Sequence, residues 1–271
     1  MYPILFKVFG FPVHSYGVML LIAFFVGVML AKKRAPRFGL KPQDVYDAAF
    51  WALILGVLGA RITFIAQEWP YYSTHRSELF SWEFAGLTSF GGIIFGILGF
   101  YVWARLKGKS FVRILDAMSA PFLIGHAIGR VGCLLNGCCY GDQCTLPWGI
   151  HVDHLPGLFH PAQIYDSLMN IAAFGVLLMI EKRGGIPYGR SISLMLILHG
   201  TCRFIYEFWR AGTDLQVKEG LATSTYMHGL PFKITDAQVA ALAIVLVGVV
   251  LYVVLPRLQN RRSGRLVPVE A

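Results

Sequence analysis

Seven apolar runs govern what this chain can become. They lie at approximately 15–31, 45–66, 86–104, 115–135, 163–180, 191–209 and 237–255. Each is near the ~20 residues that carry a helix across a bilayer. Charged residues make up only 14% of the chain, against about 25% in a soluble domain. The mean hydropathy is +0.58. A disordered chain and a nucleic-acid-binding arm are excluded. The expected fold is all-α: a polytopic membrane protein of about seven transmembrane helices in a single domain, 1–271. Lys32-Lys33-Arg34 closes the first run, so that run reads as a span rather than a cleaved signal.

The net charge of +9 follows from membrane topology. Sixteen Lys and Arg residues fall in 32–41, 105–113, 182–190 and 257–265. The opposite side carries five: Lys7, Arg76, Arg210, Lys218 and Lys233. Cytoplasmic segments concentrate basic residues. The N-terminus is therefore expected outside and the C-terminus in the cytoplasm, with 67–85, 136–162 and 210–236 facing outward. Segment 67–85 is aromatic-rich (Trp69, Tyr71, Tyr72, Phe80, Trp82, Phe84) and reads as an interfacial element.

The remaining three arginines, Arg61, Arg130 and Arg203, sit inside spans. A charge at the bilayer centre costs about 2.5–3.5 kcal/mol on insertion scales, so each asks for a partner or a ligand. On a helix His126, Arg130, Cys133 and Gly137 share one face, and so do His199, Arg203, Tyr206 and Arg210. Glu207 is four residues after Arg203 and three before Arg210, and can pair with either. Guanidinium groups bind phosphate through paired hydrogen bonds, so two facing arginine helices suit a phospholipid headgroup. His160-Pro161 opens the fifth run with a proline near a helix start. Arg61 and Tyr16 lie toward the outer ends of their spans, where snorkelling and belt aromatics are ordinary.

These residues resemble the bacterial prolipoprotein diacylglyceryl transferase family. The family's signature is close to G-R-x-G-N-F-x-N-G-E-x-x-G, and Gly129 to Gly141 follows it here. Tyr16-Gly17, Gly59-Ala60-Arg61, Gly91-Gly92, Pro147-Trp148-Gly149, His160-Pro161-Ala162-Gln163-Ile164-Tyr165 and Arg203 to Arg210 match in the family's order. The resemblance implies an enzyme of the bacterial inner membrane, active toward the outer leaflet. Such an enzyme moves a diacylglyceryl group from phosphatidylglycerol to the lipobox cysteine of a prolipoprotein signal peptide and releases glycerol 1-phosphate. Its partners are membrane lipid and prolipoprotein, with no nucleic acid, cofactor or metal. It further implies that Arg130 and Arg203 hold the lipid phosphate, and that Tyr16, Asn136, Gly141, Arg61, His160 and Glu207 help bind substrate.

The chain departs from the family in several places. Phe90 stands where the family has a histidine, Cys133 where it has Asn, Cys138 where it has Glu, and His199 where a tyrosine is expected. His199 or His126 can then serve as base. Cys133, Cys138, Cys139 and Cys144 crowd into twelve residues, with Cys202 elsewhere. Disulfides, free thiols, a redox or acyl-carrying thiol and a metal site, with His151, His154 and His160 nearby, are all open readings. Rival functions are a diverged paralogue with another acceptor, a thiol–disulfide oxidoreductase and a lipid or solute transporter.

Overall fold

The computed structural model describes residues 2–8, 11–77, 88–153, 155–184, 187–212, 214–219, 222, 224–227 and 233–263. Residues 1–30 and 118–271 form one compact unit, and residues 31–117 a second.

The first unit opens with an antiparallel hairpin, β1 (Ile4–Val8) and β2 (Phe11–His14), which runs into α1 (Ser15–Arg34). The end of α5 (Phe111–Asn136) belongs here, followed by β3 (Gln143–Cys144) paired antiparallel with β4 (Leu158–Phe159). α6 (Ala162–Lys182) and α7 (Arg190–Tyr206) pack side by side, and α9 (Asp236–Ser263) lies along α7. A 3-10 turn at Glu207–Trp209 leads into β5 (Ala211–Gly212), α8 (Asp214–Lys218) and β6 (Ser224–Thr225), with β5 and β6 parallel. Gly132 of α5 faces Tyr16 and Met19 of α1; a Cβ there would lie 3.3 and 2.9 Å from them.

The second unit holds α2 (Pro42–Gln67), α3 (Trp69–Thr74) and α4 (Ser89–Leu106), with α2 packed along α4. Their contact is backbone on backbone: a Cβ on Gly91 would meet Gly59 O at 2.6 Å. Gly59 and Gly91, both in family motifs, thus serve helix packing. Of the expected interfacial element, α3 carries the first aromatics, whereas Phe80, Trp82 and Phe84 lie outside the described residues. His154 does too.

All seven expected runs form helices, but the expectation of about seven transmembrane helices is corrected. Among the described residues five helices are long and apolar enough to span: Ser15–Phe38, Pro42–Gln67, Phe111–Asn136, Ala162–Lys182 and Asp236–Arg257. The apolar stretch of α4, Phe90–Leu106, is too short to qualify. α7 has 17 residues, about 26 Å of helix, against the ~30 Å hydrocarbon core, and its sequence carries Ser191, Ser193, His199 and Arg203. The molecule is an all-α polytopic membrane protein.

Candidate active site

α5, α6 and α7 bring their polar faces together inside the first unit. Arg130 on α5 meets Asp166 on α6, with Nε 2.6 Å from Oδ2. His126, one turn before Arg130, has Nε2 3.0 Å from the same oxygen and 3.3 Å from Arg130 Nε. As the Nε2–H tautomer it donates to Asp166; as the Nδ1–H tautomer it accepts from Arg130. Asn170, one turn after Asp166, donates Nδ2 to Asp166 Oδ1 (2.7 Å) and to its carbonyl (2.8 Å). That orientation turns Asn170 Oδ1 toward His199 Nδ1, 2.9 Å away on α7. His199 therefore carries its proton on Nδ1 and keeps the Nε2 lone pair. The rings of His126 and His199 stand edge to face, with centroids 4.7 Å apart.

The second half of the site is built on α7 and the turn after it. Glu207, fully buried, accepts a hydrogen bond from Arg203 Nη1 and lies 3.3 Å from Arg210 Nη1 through the same oxygen, Oε2. The spacing allowed either pair, and the fold makes both. Tyr206, also fully buried, is the common centre. The guanidinium carbons of Arg130, Arg203 and Arg210 lie 5.1, 5.0 and 5.1 Å from its ring centroid. Cation–π attraction holds each cation near one ring. Three cations gather around two carboxylates, Asp166 and Glu207, and the side chains of Arg130, Arg203 and Arg210 stay 16%, 23% and 16% exposed, an arrangement that suits a phosphate diester.

The signature loop closes over this centre. α5 ends in a Schellman motif. Gly137 N donates to Leu134 O (3.2 Å) and Cys138 N to Cys133 O (3.1 Å), with Gly137 at φ 74°. Such a cap brings together the side chains at its ends, here Cys133 and Cys138. Cys139 follows with φ 62°, a left-handed conformation that is costly for a side-chain-bearing residue. The loop is pinned by Gln163 Nε2 donating to Cys138 O (2.6 Å) and by Tyr206 Oη donating to Cys139 O (3.1 Å). Hydrogen bonds from Cys133 and Cys138, together with the fields of Arg130 and Arg210, hold the Cys139 thiol far below its usual range. All five cysteines are free thiols. Cys144 is on β3, and Cys202 donates to Met169 O at 3.6 Å.

The other expected site residues fall as follows. Tyr16 lies in the first turn of α1, against Gly132. Asn136 is the exposed last residue of α5. Gly141 is buried and donates its N–H to His160 O (2.9 Å). His160 has Nδ1 3.3 Å from Tyr165 Oη, and burial lowers its pKa. Burial also pushes the Asp142 carboxyl up to about 7, against the pull of Arg210 and with the help of Glu207. Arg61 belongs to the second unit, where its guanidinium lies over Phe64 (5.9 Å) and Tyr72 (5.6 Å). Phe90, in the same unit, is exposed.

Asp166 and Asn170 are central without standing among the expected site residues, and Arg210, expected only as a partner for Glu207, joins them. An intramembrane arginine requires a counterion. A carboxylate and an amide one turn apart on another span, Asp166 and Asn170, were the available signal. Beside Arg130 a shallow groove of about 80 Å³ runs between α5 and α6, lined by Val131, Leu134, Gln163, Ile164 and Leu168. Val131, Ile164 and Leu168 are exposed, so the groove opens to the side of the bundle.

The prolipoprotein diacylglyceryl transferase family model matches residues 3–254. Over 252 residues the chain is 32% identical to the phosphatidylglycerol–prolipoprotein diacylglyceryl transferase of Clostridioides difficile (strain 630), covering 93% of this chain and 94% of that protein. Over 248 residues it is 30% identical to the protein of the same name from Finegoldia magna, covering 92% and 93%. The like-named protein of Fervidobacterium nodosum is 32% identical over 215 residues, covering 76% and 74%.

Proposed function

The chain belongs to the prolipoprotein diacylglyceryl transferase family, and from that premise we propose how its own residues carry the reaction. The enzyme transfers a diacylglyceryl group from phosphatidylglycerol to the lipobox cysteine of a prolipoprotein. The thiolate sulfur attacks the glycerol carbon that bears the phosphate ester, a C–S bond forms, the C–O bond breaks, and glycerol 1-phosphate leaves with the electron pair. Negative charge grows on the leaving phosphate. Cationic donors already fixed beside it lower the barrier because they need not reorganise. Arg130, Arg203 and Arg210 are those donors. Their convergence on Tyr206 is the observation that carries this reading.

Asp166 and Glu207 act as positioning residues, aiming Arg130 and the Arg203–Arg210 pair. His199 Nε2 takes the thiol proton, its tautomer held by Asn170. Tyr16, Asn136, Gly141 and His160 serve the lipid and peptide around this centre, and Arg61, in the second unit, keeps the substrate-binding role that the family resemblance implies. The groove between α5 and α6 admits a lipid sideways, its chains against Val131, Ile164 and Leu168 and its phosphate at Arg130. The site faces the outer leaflet of the bacterial inner membrane. Lys182, Arg183 and Arg190 cluster at the end of α6 and α7 opposite to it, about 24 Å along α6 from Asp166, and basic ends face the cytoplasm.

The test uses purified full-length protein in liposomes with a lipobox peptide. With phosphatidylglycerol present, the peptide should gain one diacylglyceryl mass. It should not in phosphatidylcholine alone, nor when its cysteine is serine. Failure in phosphatidylglycerol vesicles by protein that binds the lipid would reject the reading.

A further inference from the structure

The reaction as derived leaves three thiols unused at the edge of the site. Cys133, Cys138 and Cys139 have their Sγ atoms all within 4.8 Å of one another. We infer that they form a binding site for one zinc-class divalent cation, with an open fourth position. Zinc holds sulfur at about 2.3 Å, which sets sulfurs about 3.8 Å apart around a tetrahedral ion. The observed separations need to contract by no more than about 1 Å, and Cys138 and Cys139 are both half-buried. The Cys133–Cys138 spacing, with four residues between, lies within the range zinc sites use.

The backbone is built for the cluster. The Schellman cap of α5 turns Cys138 back onto Cys133, and the left-handed φ of 62° turns Cys139 after it. Gln163 and Tyr206, from two other helices, fix the carbonyls of both loop cysteines. The cluster sits at the C-terminal end of a 26-residue helix, Cys133 in its last turn and Cys138 and Cys139 just beyond, and the dipole at that end favours a cation. Arg130 Nη1 lies 4.0 Å from Cys133 Sγ, a cationic neighbour suited to the net anionic centre that three thiolates and a dication make.

Three protein ligands and one open position is the pattern of zinc sites that act on a bound group rather than merely brace a fold. The group such a site would take is a thiol. Resting on the transferase reading, the fourth ligand is the acceptor cysteine. Its thiol gives its proton to the metal-bound hydroxide, which leaves as water, and the sulfur stays on the metal as a thiolate beside the phosphate-binding arginines. A coordinated thiol is deprotonated outright. The residues that replace the family's Asn and Glu thus supply a second means of activating the acceptor, absent from the metal-free expectation.

The experiment measures metal in full-length protein purified under reducing conditions and incubated with Zn²⁺ alone, then desalted. The expected result is one zinc per chain, lost in Cys133→Ser, Cys138→Ser and Cys139→Ser and kept in Cys144→Ser and Cys202→Ser. Wild-type protein loaded with Co²⁺ should show thiolate-to-metal charge-transfer absorption, a readout that needs no variant to fold. Chelation should slow peptide modification at least tenfold, with recovery on adding Zn²⁺ and no loss of phosphatidylglycerol binding. Zinc in the wild type no higher than in Cys133→Ser would overturn the site. So would a disulfide within the cluster in protein prepared without reductant. Full-rate transfer by metal-free protein would overturn the role and leave the transferase standing. Zinc bound without transfer would leave the metal site standing and overturn the transferase reading together with the role that rests on it.

Discussion

Replacing Asp166 by Asn removes one negative charge from a side chain that is 1% exposed while keeping its size. Its Oδ2 is the counter-charge for Arg130 at 2.6 Å and meets His126 at 3.0 Å. Its Oδ1 orders Asn170, and through it His199. The Arg130 side chain, 16% exposed, is left as an uncompensated cation. Breaking a buried pair from one side costs about 3–5 kcal/mol. The same change releases Arg130 from the aim that Asp166 gives it. Losing one fixed donor to a developing oxyanion costs about 10²–10³ in rate. Asp166→Asn should therefore lower the denaturation midpoint in detergent and cut diacylglyceryl transfer at least 100-fold, with Asp166→Glu recovering part of both. The doubly neutral Arg130→Gln/Asp166→Asn protein should be more stable than either single variant, because no charge is stranded. Stability would be read by thermal unfolding and activity by peptide mass. Wild-type stability with activity within about threefold for Asp166→Asn would refute the claim that this carboxylate holds Arg130.

Glu207→Gln strands two cations, Arg203 and Arg210, beside a fully buried amide; unfolding experiments should show a loss of about 3–5 kcal/mol, and a loss below about 1 kcal/mol would contradict the shared pair. Asp142, whose folded pKa of about 7 lies above the ordinary carboxylate value, binds a proton in the folded state that the unfolded chain has released. Its contribution to stability therefore falls as pH rises from about 4 to 7, and Asp142→Asn should flatten that part of the melting-temperature profile; an unchanged slope would count against it. A Cβ at Gly141 would sit 2.3 Å from Trp209 O and 2.8 Å from His160 Cβ, so Gly141→Ala should displace the signature loop and lower both the melting temperature and transfer, and a silent substitution would mean the loop is not held there.

Much of this was legible in the chain. The apolar runs located every long helix, because a bilayer-length hydrophobic stretch has few alternatives. Their number as spans was misread at two of them. α7 reads as apolar between Leu194 and Leu198, but its His199 and Arg203 face the site, and its 17 residues are too few to cross with margin. Arg130, Arg203 and Glu207 stood out because charges are rare in such runs. What could not be read was convergence. Tyr206 looked like one more aromatic, and only the approach of Arg130 on α5 to the end of α7 and the turn after it sets three guanidinium groups about its ring. The cysteine cluster shows the same limit. Spacing brought four thiols close in sequence, but the cap after Asn136 selects Cys133, Cys138 and Cys139 and leaves Cys144 on a strand.

The central claim is that the arginine cluster acts on the leaving phosphate as the bond breaks. Single-turnover transfer to a lipobox peptide, measured at saturating phosphatidylglycerol, tests it most directly. Arg130→Ala should slow that single turnover at least 100-fold even when lipid binding is saturated, with glycerol phosphate and modified peptide still appearing one for one. A wild-type single-turnover rate with only a raised lipid requirement would mean that Arg130 merely binds the lipid, and would contradict the claim.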